Sequence, residues 1–249
     1  MSQINNPIVN ARVKYVNGLE MSYTTATTIT IAAGAASDST NVDDIILSSA
    51  VVNTNTAVGV NGVDIAAAAA STFYAVFVIG DSTEYKATAS LLSLSSTAPS
   101  LPSGYDMFRR IGYVLTDSSK NVLKFWQYGH GNSRDMYYDT GIATPAITTS
   151  ATYVSQSLAA GIPPSLVCEA YLKVDYTANS ATNICTMAPY GSTASVGMIV
   201  FGYGVAAAQQ GMVTVPTALN STAPSITHKE TSSSDALVIL VAGYQDSLA

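Results

Sequence analysis

Short runs of β-branched and aromatic residues, each cut off by Gly, Pro, Asn, Asp or Ser, recur along nearly the whole length of this chain. Apolar residues return at the two-residue period of a strand and scarcely anywhere at the three-to-four-residue period of a helix, so the chain has no amphipathic helical stripe to bury. The expected fold class is all-β, an antiparallel β-sandwich or jelly-roll-like arrangement with little helix. Candidate strands fall at residues 12–16, 27–32, 41–47, 73–79, 110–116, 122–128, 167–174, 184–188, 197–203, 211–215 and 236–242. Thr28, Ile29, Thr30 and Ile31 alternate cleanly, which sends the isoleucines to a core face and the threonine hydroxyls to the other. Residues 73–79 are apolar throughout and read as a strand covered on both faces.

Turn chemistry agrees. Asp117 and Ser118 open a turn and can hydrogen-bond its backbone, so residues 112–128 read as a β-hairpin. Residues 175–183 read in the same way as the loop of a hairpin carrying Cys168 and Cys185. Five alanines at 66–70 form either a helical turn or a packed loop. A stretch rich in Thr, Ala and Pro at 141–151 reads as a linker between two β lobes, 27–140 and 152–249, preceded by a polar N-terminal arm at 1–26.

What covers the outside of such a β body is unusual. Charged residues make up 10% of the chain, against about 25% in ordinary soluble domains, so Ser, Thr, Asn and Ala must form most of the surface. Covering such a surface strands few charges, which suits a protein held in an assembly. The net charge of −6, with no basic run, repels phosphate backbones and argues against a nucleic-acid partner. The longest apolar runs, 73–80 and 236–243, are strand-length and far short of the ~18–20 residues of a membrane helix. The N-terminus shows no apolar signal core, so neither a leader nor a membrane association is expected. Two cysteines fit synthesis in a reducing cytoplasm.

Residues able to carry chemistry are few. Arg109 and Arg110 are the only adjacent arginines; they either fork onto carboxylates of a neighbouring subunit or pair internally with Asp106 or Asp117. Arg12 and Tyr15 in the arm are further candidate subunit contacts. Asp38, Asp43, Asp44 and Asp64 lack the ligand spacing of a calcium loop, and no metal or cofactor is expected. Cys168 and Cys185 are either a late disulfide or buried free thiols. His130 and His228 have no nucleophile elbow beside them, so no catalytic residue is nominated and the chain reads as non-enzymatic. Tyrosine outnumbers phenylalanine 15 to 5. Trp126, Tyr128, Tyr137 and Tyr138 are either a glycan-binding face or padding for the β core and subunit seams.

Several segments carry a resemblance. Leu19-Glu-Met-Ser-Tyr23, Thr27-Thr-Ile-Thr-Ile-Ala-Ala-Gly34 and Asp38-Ser-Thr-Asn-Val-Asp-Asp-Ile45 resemble the opening of a broad group of tailed-bacteriophage virion proteins. Asn61-Gly-Val-Asp64, Phe73-Tyr-Ala-Val-Phe-Val-Ile-Gly-Asp81, Leu101-Pro-Ser-Gly-Tyr-Asp-Met-Phe-Arg-Arg-Ile-Gly112 and Val241-Ala-Gly-Tyr-Gln-Asp-Ser-Leu248 continue it in order. The resemblance implies a structural role in the virion, assembled in the host cytoplasm. It points first to a capsid decoration or cement protein, a homotrimer partnered by the major capsid protein. The alternative it leaves is a short tail-fibre or head-fibre module that recognises a host surface glycan, though no Gly-X-Y shaft is present.

Overall fold

The computed structural model describes residues 14–84, 86–180, 182–193, 199–201 and 208–248. Among them there is no helix, and the fold is all-β, built almost wholly from antiparallel sheets and sandwich-like. The chain forms two compact units. Unit 1 takes the described residues up to Val122, then Gly129–Arg134 and Leu248; unit 2 takes Leu123–Tyr128 and Asp135–Ser247.

Unit 1 contains β1 (Val16–Gly18), β2 (Met21–Thr25), β3 (Thr28–Ile31), β4 (Gly34–Ser37), β5 (Asp44–Leu47), β6 (Val51–Thr54), β7 (Gly62–Val63), β8 (Phe73–Gly80), β9 (Ala89–Ser93) and β10 (Met107–Leu115). They order into sheets β1-β4-β5, β2-β3-β6 and β10-β8-β9-β7. As its unbroken apolar run predicts, β8 is central in its sheet and buried from Tyr74 to Gly80. Its Phe77 and Ile79 cluster with Leu91 of β9 and Tyr113 of β10, and Phe108 meets Phe77 edge-on at 5.8 Å. Burial of each such side chain contributes about 1.5–3 kcal/mol.

Residues 16–25 lie in these sheets instead of forming a detached arm. Leu19 and Met21 are buried, β1 pairs with β4, and β2 pairs with β3. Alanines 66–70 form a loop and not a helical turn; Ala68 alone of the five is buried, and Ala69 N–H donates to the Tyr74 hydroxyl at 2.8 Å.

Unit 2 contains β11 (Phe125–Tyr128), β12 (Ser133–Ala143, whose first two residues belong to unit 1), β13 (Val154–Ser157), β14 (Glu169–Thr177), β15 (Cys185–Pro189), β16 (Ile199–Phe201), β17 (Ala208–Pro216), β18 (Ala218–Asn220), β19 (Ala223–Glu230) and β20 (Ala236–Ser247). One sheet runs β11-β12-β20-β14-β17 and the other β13-β19-β15-β16, with β18 beside β19. Along β14 the buried positions Ala170, Leu172, Val174 and Tyr176 alternate with half-exposed ones, the pattern of a sheet with one face on a core.

Both hairpins expected from turn chemistry resolve differently. Asp117 does organise its turn, accepting from Ser119 N–H and Asn121 N–H at 2.8 Å each. Pairing then stops after the single Thr116–Val122 bridge, because β10 finds its partner in β8 and β11 in β12. Likewise 175–183 crosses between the two sheets of unit 2. Asp235 ties that crossing down by accepting from Asn179 N–H at 2.8 Å and Asn183 Nδ2 at 2.7 Å. Residues 141–151 are no free linker either: Ser150 N–H donates to Glu230 Oε2 at 2.7 Å, and Gln156 Nε2 to the Pro145 carbonyl at 3.2 Å, so the segment is stitched into unit 2.

Candidate functional site: an aromatic sheet face

Strand alternation divides the tyrosines of unit 2 between two faces. On β11, Phe125 turns inward while Trp126 and Tyr128 turn out, 40% and 57% exposed. Register sets Trp126 opposite Tyr137 and Tyr128 opposite Asp135, so all four share the outer face. Tyr128 meets the Tyr137 ring edge-on at 6.0 Å, and Tyr137 stacks on Tyr171 at 5.0 Å with planes 9° apart.

That stack spans a strand. Tyr137 is on β12 and Tyr171 on β14, with β20 between them, and the β20 residue paired with Tyr171 is Gly243. A Cβ at Gly243 would collide with the Met136 carbonyl oxygen and press on the Tyr137 Cα. Glycine here is what lets the neighbouring backbone close in and leaves the outer surface open for two rings to meet.

Polar groups are set among the rings. The Tyr171 hydroxyl donates to Asp135 Oδ1 at 2.5 Å, and Gln245 Nε2 reaches the same oxygen at 3.4 Å. Burial, and then the Asp135 carboxylate that holds the proton, push the Tyr171 hydroxyl well above the usual tyrosine range. At the other end Lys124 Nζ lies 5.0 Å over the Trp126 ring and 3.2 Å from Asp139 Oδ1.

Tyr138, nominated for this face, is not on it. A strand sends adjacent residues to opposite sides, and Tyr138 turns inward, donating to the Gly161 carbonyl at 2.9 Å beside Tyr244. Its hydroxyl is pushed far up by burial. Tyr171 takes its place, and no local signal marks it, because its nearness to Tyr137 depends on strand order and on Gly243.

The nominated arginine contacts also divide. Arg109 is buried and staples the β4–β5 region: Nε donates to the Ser37 carbonyl at 2.7 Å, and the guanidinium to Ser37 Oγ, Asn41 Oδ1 and the Asp38 carbonyl. It is therefore spent inside unit 1 and not offered to a neighbouring subunit. Its partners are not Asp106 or Asp117, since Asp106 accepts from Ser82 and Asp117 from its own turn. Arg110, one position on, faces the other way, its guanidinium 4.6 Å from the Tyr113 ring centre. Tyr15 is half-buried, with its carbonyl accepting from Ser37 N–H at 3.0 Å. Arg12 lies outside the described residues. The most buried arginine among the described residues is one the sequence did not flag: Arg134 donates to the carbonyls of Gly18 at 2.6 Å and Gly129 at 3.1 Å, and reaches Glu20 at 3.3 Å.

Cys168 and Cys185 are free thiols. Burial pushes Cys168 up to about 12 and Cys185 higher still, with Glu230 adding to the second. Cys185, Glu230 and His228 do meet, but the carboxylate sits in the middle: Glu230 Oε1 accepts from Cys185 Sγ at 3.6 Å and lies 2.8 Å from His228 Nδ1. Base and thiol are thus both turned to the acid, and all three side chains are buried. Asp38 caps its own loop through Thr40, Val42 and Asp43; burial raises its pKa, but these donors prevail and hold it below the usual carboxylate range. Asp64 accepts from Ser93 and Ser100. Among the described residues no group of three or more His, Cys, Asp or Glu could hold a metal ion, and no helix is long and apolar enough to cross a membrane. No family model, curated protein or solved structure matches the chain.

Proposed function

We propose that this chain is a non-enzymatic structural protein of a tailed-bacteriophage particle, acting as a capsid decoration protein that binds the major capsid protein and its own copies as a homotrimer. The observation that carries the reading is a set of exposed aliphatic side chains in unit 1. Ile65, Val42, Leu94 and Ile46 are 71%, 70%, 67% and 62% exposed. Ile65 and Leu94 are neighbours, because β7 runs parallel to β9 with Gly62 beside Leu91 and Val63 beside Leu92, and Asp64 N–H continues the pairing to the Leu92 carbonyl at 2.8 Å. Exposed alanines at 66, 67, 69 and 70 extend this apolar ground.

Apolar area contributes about 25 cal/mol for each Å² removed from water, and the side chains named here carry no charge of their own to desolvate in return. A protein that binds one state of a shell stabilises that state by its own binding free energy, about 2.7 kcal/mol per site at a hundredfold excess over Kd. The resemblance of the segments at 19–23, 27–34, 38–45, 61–64, 73–81, 101–112 and 241–248 to virion proteins supports the same reading. Cryo-electron microscopy of purified particles tests it. Density for this chain at threefold positions of the shell is expected, and a bare shell with the chain at the tail tip refutes it. The aromatic face of unit 2 favours a second reading, a short tail-fibre or head-fibre module that recognises a host surface glycan.

A further inference from the structure

We infer that the outer row of unit 2 is a binding site for a neutral, hydroxyl-rich oligosaccharide, with sugar rings seated on Trp126 and Tyr128 and their hydroxyls taken by the polar groups beside them. It rests on the second, glycan-recognising reading and not on the capsid one, and names the class of sugar that the aromatic row takes.

Three observations carry it. First, one of the two exposed rings, Tyr128, stands on a fixed base. Tyr137 is held between the Tyr128 edge and the Tyr171 face, and Tyr171 is anchored by its hydroxyl to Asp135. Little side-chain freedom is left to lose on binding. Second, the rings are interleaved with ionic groups. Lys124 and Asp139 flank Trp126, Asp135 and Gln245 flank Tyr128 and Tyr171, and Lys173 and Asp175 follow on β14 at 3.8 Å from each other. The centre of a protein–protein interface is depleted in Lys and Asp, so this mixture fits poorly as the heart of a subunit seam. A pyranose ring matches it: one face presents C–H groups, which suit the negative face of an aromatic ring, and its rim presents hydroxyls, which donate to carboxylates and accept from an ammonium.

Third, the charge beside the rings selects among sugars. Asp135 and Asp139 outnumber Lys124 there, in a chain of net charge −6, so uronic, sialylated or phosphorylated glycans meet repulsion and neutral ones do not. Trp126 and Tyr128 are two positions apart on one strand, about 7 Å along it. That gives two stations, so an oligosaccharide gains over a monosaccharide by engaging both.

The test uses a built-in reporter, since Trp126 is the only tryptophan in the chain. The full-length protein is titrated with tetrasaccharides of glucose, galactose, N-acetylglucosamine and rhamnose, and with a sialylated tetrasaccharide, while tryptophan emission is followed. A saturable blue shift with a neutral tetrasaccharide is expected, with Kd of about 1 mM or tighter. The sialylated one should bind at least about tenfold more weakly. Tyr128→Ala should weaken binding by about tenfold or more while leaving thermal unfolding unchanged, because the side chain is exposed. No shift with any of the neutral sugars overturns the inference, as does a preference for the sialylated one or an unaltered curve in Tyr128→Ala. Loss of capsid binding in Tyr128→Ala without sugar binding in the parent chain assigns the face to a protein contact instead and also overturns it.

Discussion

The two units differ in which cations they bury and in what surrounds the apolar side chains they leave exposed. Unit 1 turns Arg109 and Arg134 inward onto backbone carbonyls and side-chain oxygens, and leaves Val42, Ile46, Ile65 and Leu94 outside. Unit 2 keeps its outer sheet ionic and aromatic, with Lys124, Asp135, Asp139 and Lys173 around Trp126 and Tyr128. Its interior holds the Glu230–His228 pair and Asp235. A guanidinium buried against carbonyls stabilises a fold without presenting charge, so a surface around it can stay apolar and adhesive. Charges left outside among rings keep a face wetted, and a wetted aromatic face is better suited to a polar ligand than to a dry protein seam.

The comparison breaks first at its buried cation. Arg134→Ala strands the Gly18 and Gly129 carbonyls in the interior of unit 1, and a loss of about 3 kcal/mol is expected in denaturant unfolding, with the aromatic row undisturbed. A two-phase unfolding curve in which only the second unit shifts would reverse the assignment. Next in size is Gly243→Ala. The added methyl has only backbone to push against, so about 2 kcal/mol is expected, together with loss of the near-ultraviolet circular dichroism of the Tyr137–Tyr171 stack. A crystal structure of the variant with that stack intact would contradict it.

The acid dependence sharpens the comparison from the carboxylate side. Asp235 accepts from Tyr176, Asn179, Asn183 and Ser232. Burial raises its pKa, but these donors prevail and hold it below the usual carboxylate range. A carboxyl whose folded pKa is depressed contributes stability that is present above its unfolded value, about 3.9, and is lost as pH falls through the folded value. Asp235→Asn should therefore destabilise by about 1 kcal/mol at pH 7, and the gap to the parent chain should close below about pH 4. An equal gap at both pH values in thermal melts would remove the linkage. The smallest stability effect belongs to Ile65→Ser with Leu94→Ser, expected to stay within about 0.5 kcal/mol because both side chains are exposed. Capsid occupancy, measured by co-sedimentation, is the quantity that should fall.

Much of this was legible without coordinates. Unbroken apolarity at 73–79 marked a doubly covered strand, alternation at 28–31 marked a one-faced one, and Asp117 marked a turn. These are local properties, decided by side-chain period and by hydrogen bonds within a few residues. All three outer aromatics on β11 and β12, Trp126, Tyr128 and Tyr137, were likewise named from the sequence, and the strand period gives the fourth, Tyr138, to the inner face.

What the chain could not announce is which strand lies beside which. The turn at 117–121 permits a hairpin, yet the longer apolar match between β10 and β8 prevails, and the partners of β11 and β14 follow from sheet assembly. The same holds for Tyr171 beside Tyr137, for Arg109 against Ser37, and for Cys185 held by Glu230 far from Cys168. Each joins residues many positions apart, and such contacts are selected by the packing of the whole interior, where the cost of closing a long loop grows only slowly with its length and so favours no particular partner. The sequence by itself determined that this protein is a β body with few charges to show. The tertiary structure alone decided where those charges went, because the burial of a cation or a carboxylate depends on whether distant backbone groups arrive to receive it.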